Sequence, residues 1–513
     1  MPTYTNELNV EKVILDKLNS LKTISNILDQ YTGELVTFNE TTEITNDLEL
    51  DGVIYVKFGD DYFKRNFTGS INIKWFGARG NGIHDDYEAI QGAINYAQKQ
   101  GISLFIPQGI FKTSGTLRIT LRIHIYGEGM WQSQIIYSGN DSAIRIIPPT
   151  DRTSNTGTYF HDFMVKPQIG GGGKYGIEVY LGINAYFSNW EFNRIFVGDF
   201  GNFGIRLDNS SRNVDGFFAF TIRRCWIQNG LNGDSVGDSI TISENTITGN
   251  RILSPGILFS GIGGARQIII RENNITTQHG AIALLAMEQT QVCFNQLEHG
   301  AGSDYLGIYQ SQLYLADCIY CVIQGNTISP ARSVGSITSD YAIYLSGTSI
   351  GNIITQNDMS VGAEGKYIGF GISSKRNILK TDNAYYGTLN SEVETLGVDN
   401  LGIDNYGVEV SLTLLANWIP YDSTSEVSAK KIDSGLVVLR GAIKDGIQTL
   451  GTTIFILPQL FRPVREKRFQ VTNFNTGTFS SATLLIRPTG EVNILAINGS
   501  TLLQIDGVSY TTN

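Results

Sequence analysis

The chain has 513 residues, with 57 Gly but only 11 Pro, 41% hydrophobic and 17% charged, and a net charge of −10. That is enough for two or three folded domains, and low charge with many glycines and aromatics favours turn-rich β-structure. The acidic balance excludes a nucleic-acid binder, which needs a basic footprint, and no run of about 18 uncharged apolar residues is present to span a membrane.

The first residues, MPTYTNELNVEK, lack the apolar core after a basic start that marks a signal peptide, so release by cell lysis is the expected route out. Residues 8–30 place Ile14, Leu21 and Leu28 at one heptad position and Val10 and Ile24 at the other, with Lys17 interrupting. This pattern predicts an N-terminal helix that zips together subunits held elsewhere, or one packed on its own domain. Short strands follow in ELVTF, GVIYVKF and YFKRNF. In WFGARGNGIHDDYEAIQGAI, Asp85 or Asp86 is placed to cap a helix and Glu88 to complete a capping box. Ile90, Ala93, Ile94 and Ala97 then give an apolar stripe that stops at Gly101. One amphipathic helix, followed by the buried strand ISLFIPQGIF, suits the open end of a stack of strands, where a terminal repeat must be covered.

A repeat occupies the middle of the chain. Aligned at one corner stand Asn193, Cys225, Asn245, Asn273, Asn295, Asn326 and Asn357. Three residues before them are Trp190, Ile222, Ile242, Ile270, Val292, Ile323 and Ile354; two residues after are Ile195, Ile227, Ile247, Ile275, Leu297, Ile328 and Met359. Every flanking position is apolar, and the irregular spacing fits loops of different length leaving a fixed coil. An Asn amide bonds both its own turn and the turns above and below. A second strand set recurs upstream in GIEVY, GIRLD, GILFS, GAIALL and YAIYLS. The pattern stops near Gly387, and SGLVVLRGAIKDG to LLQIDGVSY reads as antiparallel strands. The expected fold is all-β: a right-handed parallel β-helix capped by the amphipathic helix, then a C-terminal antiparallel β-sandwich. Residues 1–70 form an N-terminal helix and small strand region, 71–386 the β-helix, 387–409 a linker and 410–513 the sandwich, serving trimerisation or carbohydrate binding. Of the cysteines, Cys318 and Cys321 have the spacing of a redox motif, but no helix-opening turn follows, and buried strand cysteines are the better reading.

GARGNGIHDDYEAIQGAI followed by GISLFIPQGIF resembles the opening segment of the pectate-lyase-like β-helix family. The usual pattern there is Gly-Asp-Gly-x-x-Asp-Asp-x-x-Ala-Ile-x-x-Ala, then a strand ending Pro-x-Gly-x-Phe/Tyr; here Asn81 replaces the first Asp and His84 the usual Thr. Within that family, CWIQNGLNGDSVGDSITISENTITG and the closing strands resemble bacteriophage tail spikes and fibres. The resemblance implies a homotrimer on the virion tail, or extracellular after lysis, that binds and usually cuts bacterial capsular or surface polysaccharide. It also implies another phage tail protein as partner through the N-terminus. No cofactor is expected.

Strand alternation nominates the outward groups. In GIEVY these are Glu178 and Tyr180, and in GIRLD one coil on, Arg206 and Asp208. Stacking sets Glu178 by Arg206 and Tyr180 by Asp208: acids, a cation and a phenol on one patch, with a surface salt-bridge ladder as the competing reading. Two neighbouring loops carry Asp215, Asp234 and Asp238, the last also placed to cap a turn. Glycoside hydrolysis needs two carboxylates, so Glu178, Asp208, Asp234 and Asp238 are the catalytic candidates. Tyr180, Arg206, Asp215, Arg223 and Arg271 are the substrate-binding ones. Glu244 and Glu272, one coil apart, are placed to raise the pKa of one of the two, with neutralisation by Arg224 and Arg271 as the competing reading. Trp190 is expected in the core. No His pair has metal-ligand spacing, and His84, His124 and His161 fall in the capping and early-coil region. A cluster of acids for Ca²⁺ with a basic residue is not evident, which favours hydrolysis over β-elimination; a fibre that binds glycan without cutting it is the alternative.

Overall fold

The computed structural model describes residues 14–18, 21–42, 52–149, 157–169, 172–210, 216–249, 254–277, 280–299, 311–329, 341–360, 366–371, 373–380, 382–386, 394–395, 408–422, 427–431, 435–475, 477–497, 499 and 502–512.

Among the described residues of the expected N-terminal helix the chain is strand instead. Ile14–Leu18 and Leu21–Leu28 pair as an antiparallel hairpin, with Ile14 opposite Ser25 and Leu18 opposite Leu21. Leu35–Glu40, Asp61–Arg65 and Tyr55–Phe58 complete a five-stranded sheet. The apolar residues of LKTISNIL serve an alternating strand as well as a helix. A partner strand decides the choice, since two or three heptads have no helical partner here. Ile24 packs into a small separate core with Val36, Phe38 and Phe63. Arg65 ties this sheet to the next region: it is buried, ion-paired to Asp29 at 2.8 Å, and stacked over Trp75 at 4.1 Å.

From Ile71 onward the chain winds into a parallel β-helix of the right-handed type. Its described strands form three parallel sheets of 11, 12 and 12 strands. Face 1 runs from Leu117–Ile119 through Tyr175–Tyr180, Phe203–Asp208 and Tyr341–Ser346. Face 2 includes His124–Gly127, Tyr159–His161, Phe187–Asn193 and Phe217–Arg223. Face 3 includes Ser133–Tyr137, Phe196–Val197 and Trp226–Gln228.

The corner between faces 2 and 3 holds the amide column. The Nδ2 groups of Asn245, Asn273, Asn295, Asn326 and Asn357 each donate to the next Oδ1, ending on Asn383, at 2.9–3.0 Å. Each also donates to a face 2 carbonyl of the coil before, from Ile222 to Ile323, at 2.8–3.0 Å. The residue ahead of each corner is left-handed, from Arg194 and Arg224 to Gln356, with φ between 51° and 64°. Asn193 does not belong to this column. It pairs with Arg223, so Ile195 occupies its coil's corner, and Trp190 lies opposite Phe220, not Ile222. The alignment slips by two residues because a shift of two preserves strand alternation.

A second column lines the corner between faces 1 and 2. The Cys321 N–H donates to Asn352 Oδ1 at 2.8 Å, and Asn352 Nδ2 donates to Asn377 Oδ1 at 2.8 Å. Cys318 donates its N–H to Ser349 Oγ at 3.1 Å. The cysteine pair therefore stands where later coils place Ser349 and Asn352; both thiols are fully buried, and burial pushes Cys318 up.

Helix α1 (Tyr87–Gln100) turns Ile90, Ala93, Ile94 and Ala97 into the same core as Leu104, Leu117 and Ile125. No capping box forms. The Asp86 carboxylate turns back to accept the N–H groups of Arg79 and Gly80 at 2.8 and 3.1 Å, while Asp85 accepts that of Tyr87 at 3.2 Å. Burial raises the Asp86 pKa against those two donors. Beyond the β-helix, strands from Val408–Ser411 to Ser509–Thr511 form a four-stranded and a seven-stranded antiparallel sheet around a core of their own.

Candidate functional site

On face 1 one outward column reads Arg145, Glu178, Arg206, Asn232, and the next reads Tyr180, Asp208. Ile177, Val179, Ile205 and Leu207 fill the core between them, which forces their polar neighbours outward. Glu178 is only 5% exposed: it accepts from Ser142 Oγ and, at 2.5 Å, from Arg145 Nε. Burial tends to lower the Arg145 pKa, but Glu178 and Asp141 outweigh it and raise the value. Glu178 is thus the buried support of Arg145, with one carboxylate oxygen taken by Ser142 and Arg145.

Leu231–Val236 is a strand of face 1, not the expected loop. Leu207 pairs with Gly233, so Asp234 follows beside Asp208 one coil on, next to a register shift between Gly233 and Val236. One terminal nitrogen of Arg206 donates to Asp234 Oδ2 and stands 3.8 Å from Asp208 Oδ1. Both carboxylates are reachable, with side chains 18% and 41% exposed for Asp208 and Asp234, and Tyr180 beside them is 38% exposed. Asp208 also accepts the Ser210 N–H at 2.9 Å.

The other candidates lie elsewhere. Asp238 is exposed at the corner between faces 1 and 2, where its carboxylate accepts the Arg266 N–H at 2.8 Å, as a turn cap does. Asp215 lies outside the described residues. Arg223 and Arg271 are on face 2; Arg223 pairs with Glu191 at 2.7 Å, and Arg271 is exposed. Glu191 sits opposite Thr221, so it is offset from the Arg223–Ser243–Arg271 column. For Glu244 the competing reading holds: the hydrogen bond from Arg224, 2.7 Å long, lowers its pKa. Trp190 is 2% exposed, in the core.

One constellation escaped the sequence. His124 and His161 meet Nε2 to Nε2 at 2.7 Å. His124 Nδ1 lies 3.1 Å from Ser103 Oγ, and His161 Nδ1 is 2.6 Å from Asp162 Oδ2. Arg194 closes the chain with two bonds to Asp162, both 2.6 Å. With Asp162 accepting from His161, the neutral chain runs Ser103 to His124 to His161 to Asp162, one proton per link. Burial and then His161 hold the His124 pKa low. Burial alone would raise Asp162, but the bonds from Arg194 and His161 lower it. Tyr126 stacks on His161 at 5.4 Å, and Tyr159, opposite His124, is 43% exposed. The signal lay in HIY and YFH, which pair strand to strand; extending the corner alignment upstream of Asn193 reveals it. Among the described residues no group of three or more His, Cys, Asp or Glu is placed to hold a metal ion.

Comparison with known proteins agrees with this architecture. Residues 70–312 match the family described as rhamnogalacturonase A/epimerase, pectate lyase-like. Over 90 residues the chain is 34% identical to an uncharacterized 65.4 kDa protein in the cps region of Klebsiella pneumoniae, which spans 17% of this chain and 15% of that one. Over 72 residues it is 39% identical to alginate lyase 7 of Azotobacter vinelandii, spanning 12% of this chain and 8% of that one. The chain thus covers only a small part of these relatives' length. Among solved structures, the Dettilon tailspike protein superposes with a TM-score of 0.55 at 14% identity, covering 86% of this chain and 92% of that one. The gp42 tailspike of an Acinetobacter phage gives 0.54 at 9% identity, covering 90% and 87%. The likeness to these tailspikes is one of fold.

Proposed function

We propose that this chain is a tail-spike depolymerase that lays a bacterial capsular or surface polysaccharide along face 1 and hydrolyses it, with α1 closing the end of the rod. The observation that carries the reading is the pair Asp208 and Asp234 set around one Arg206 nitrogen on the outer side of a rigid stack. Hydrolysis needs one carboxyl to protonate the leaving glycosidic oxygen and another to act as nucleophile or to activate water. In this reading one of Asp208 and Asp234 donates the proton and the other serves as nucleophile or base, with Arg206 holding the two together. Glu178 positions Arg145 and does not touch substrate, while Tyr180 flanks the sugar ring. The homotrimer, the virion-tail location and attachment through another tail protein belong to the same reading, supported by the tailspike likeness.

A second reading, β-elimination, is favoured by the His124–His161–Asp162 chain beside the exposed Tyr159, whose linked groups form a path along which a proton can pass. One experiment separates the two. The protein is incubated with a panel of purified capsular and O-antigen polysaccharides, and reducing ends and the ultraviolet absorbance of an unsaturated uronate are followed. Reducing ends alone, abolished by Asp234→Asn at unchanged thermal stability, are expected. Absorbance rising with them, and lost in His161→Ala, moves the chemistry to face 2. Retention of the polymer with neither signal reduces the protein to a binder.

A further inference from the structure

Four coils beyond Arg206, the same outward column of face 1 turns aromatic. It reads Arg206, Asn232, Leu258, Ala283, Tyr314, Tyr344, as fixed strand by strand by the register. Tyr314 and Tyr344 stack with centroids 6.0 Å apart and planes 26° from parallel; Tyr344 and Tyr341 stack at 4.7 Å and 28°. The rings are held down, not splayed. Ser346 Oγ donates to the Tyr314 hydroxyl at 2.6 Å, and Tyr341 and Tyr344 lie over Gly369, where a Cβ would come within 2.5 Å of both rings. All three remain partly exposed.

Two residues from Tyr314, on the same side of its strand, stands Gln312. The residue is 1% exposed, yet neither its amide nitrogen nor its amide oxygen has a partner among the described residues. Asn232 Oδ1, nearer the acid pair, is also buried without one. Such groups are costly, and in native structures they mark a place where something else supplies the bond.

From these observations we infer that Tyr314, Tyr341 and Tyr344, with Gln312, form a distal glycan subsite for hexopyranose units of the chain cleaved at Asp208 and Asp234. The rings offer a π-face to the apolar C–H side of a sugar, and the Gln312 amide supplies one donor and one acceptor to its hydroxyls. Four coil steps of ~4.8 Å put this shelf roughly 19 Å from the acid pair. An extended polysaccharide therefore reaches both, and a fragment of one or two sugars does not. The inference rests on the hydrolase reading for its purpose, but binding at the shelf stands without it.

The test uses the full chain as Tyr344→Ala, Tyr344→Phe and Gln312→Leu, with thermal unfolding as the check on folding. Each is run in native gels cast with every polysaccharide of the panel above, and in cleavage assays on long chains and on short fragments of any polymer that is cut. Tyr344→Ala and Gln312→Leu are expected to lose retardation and to raise KM on long chains about tenfold. Turnover of short fragments should not change, and Tyr344→Phe, which keeps the ring, should behave as wild type. If Tyr344→Ala does not fold, Gln312→Leu carries the test, because it removes an unpaired buried amide and should fold at least as well. Unchanged long-chain KM and retardation in both variants overturn the inference and leave the hydrolase reading intact. Lost retardation with no cleavage by wild type keeps the subsite and removes the hydrolase. A wild-type chain that neither binds nor cuts any polymer overturns both.

Discussion

The amide corner and the outward column of face 1 run along the same stack of coils, yet they behave oppositely. At the corner, each coil repeats the same residue with the same bonds from Asn245 to Asn383. On face 1 the residue changes from coil to coil until two tyrosines stack at the far end: Arg145, Glu178, Arg206, Asn232, Leu258, Ala283, Tyr314, Tyr344. The corner must satisfy a buried polar turn in every coil, so its chemistry is fixed by the fold. The outward column meets that demand through its backbone alone, which leaves its side chains free to differ along the axis. Repetition marks what holds the rod together; departure from it marks what the rod is used for.

Breaking the corner should have the largest effect. Asn326→Leu removes the Nδ2 donor to Asn357 Oδ1 and Val292 O, and takes away the Oδ1 that accepts both the Asn295 N–H and one of its two Nδ2 bonds. A loss of about 4 kcal/mol is expected in denaturant unfolding of the β-helix. Next comes Glu178→Gln, which strips a buried partner from Arg145 while Asp141 still holds it at 2.8 Å. We expect about 2 kcal/mol lost in the same measurement, together with reduced activity. Stability unchanged in this variant returns Glu178 to the list of free acids.

Smaller again is the pH dependence of the histidine chain. The His124 pKa lies below its unfolded value, so folding favours the neutral ring. Its contribution is complete above pH ~6.5 and is lost as pH falls through the folded value. Asp162 is also lowered, so its share is present above pH ~4 and disappears below that. Urea midpoints measured against pH should show both phases, and His124→Gln should remove the upper one. The smallest effect sharpens the comparison. Cys321→Asn places an amide where Asn352 and Asn377 already stack, and the change in stability should stay within about 1 kcal/mol, whereas Cys321→Leu should cost more.

The legible parts of the molecule follow the same division. The β-helix and its amide corner were readable because one requirement recurs coil after coil. Glu178 and Tyr180 were correctly placed in register with Arg206 and Asp208 because core leucines, isoleucines and valines alternate with them. Asp234 was read as part of a loop because LNGDSV has no clean alternation; only its pairing to Phe203–Asp208 makes it a strand. Asn193 was misplaced by a shift that leaves inside and outside unchanged. The N-terminal stripe fitted a helix and a strand equally well until a partner strand chose between them.

What the sequence determined by itself is the class of fold, its corner, and which residues of a strand face outward, because each coil states those conditions anew. Which outward residues meet was decided in three dimensions. Loops of unequal length set how one coil lands on the next, and that landing puts Asp208 beside Asp234 around Arg206, His124 against His161, and the Tyr341 and Tyr344 rings over Gly369. A contact between coils depends on registers that neither strand carries alone.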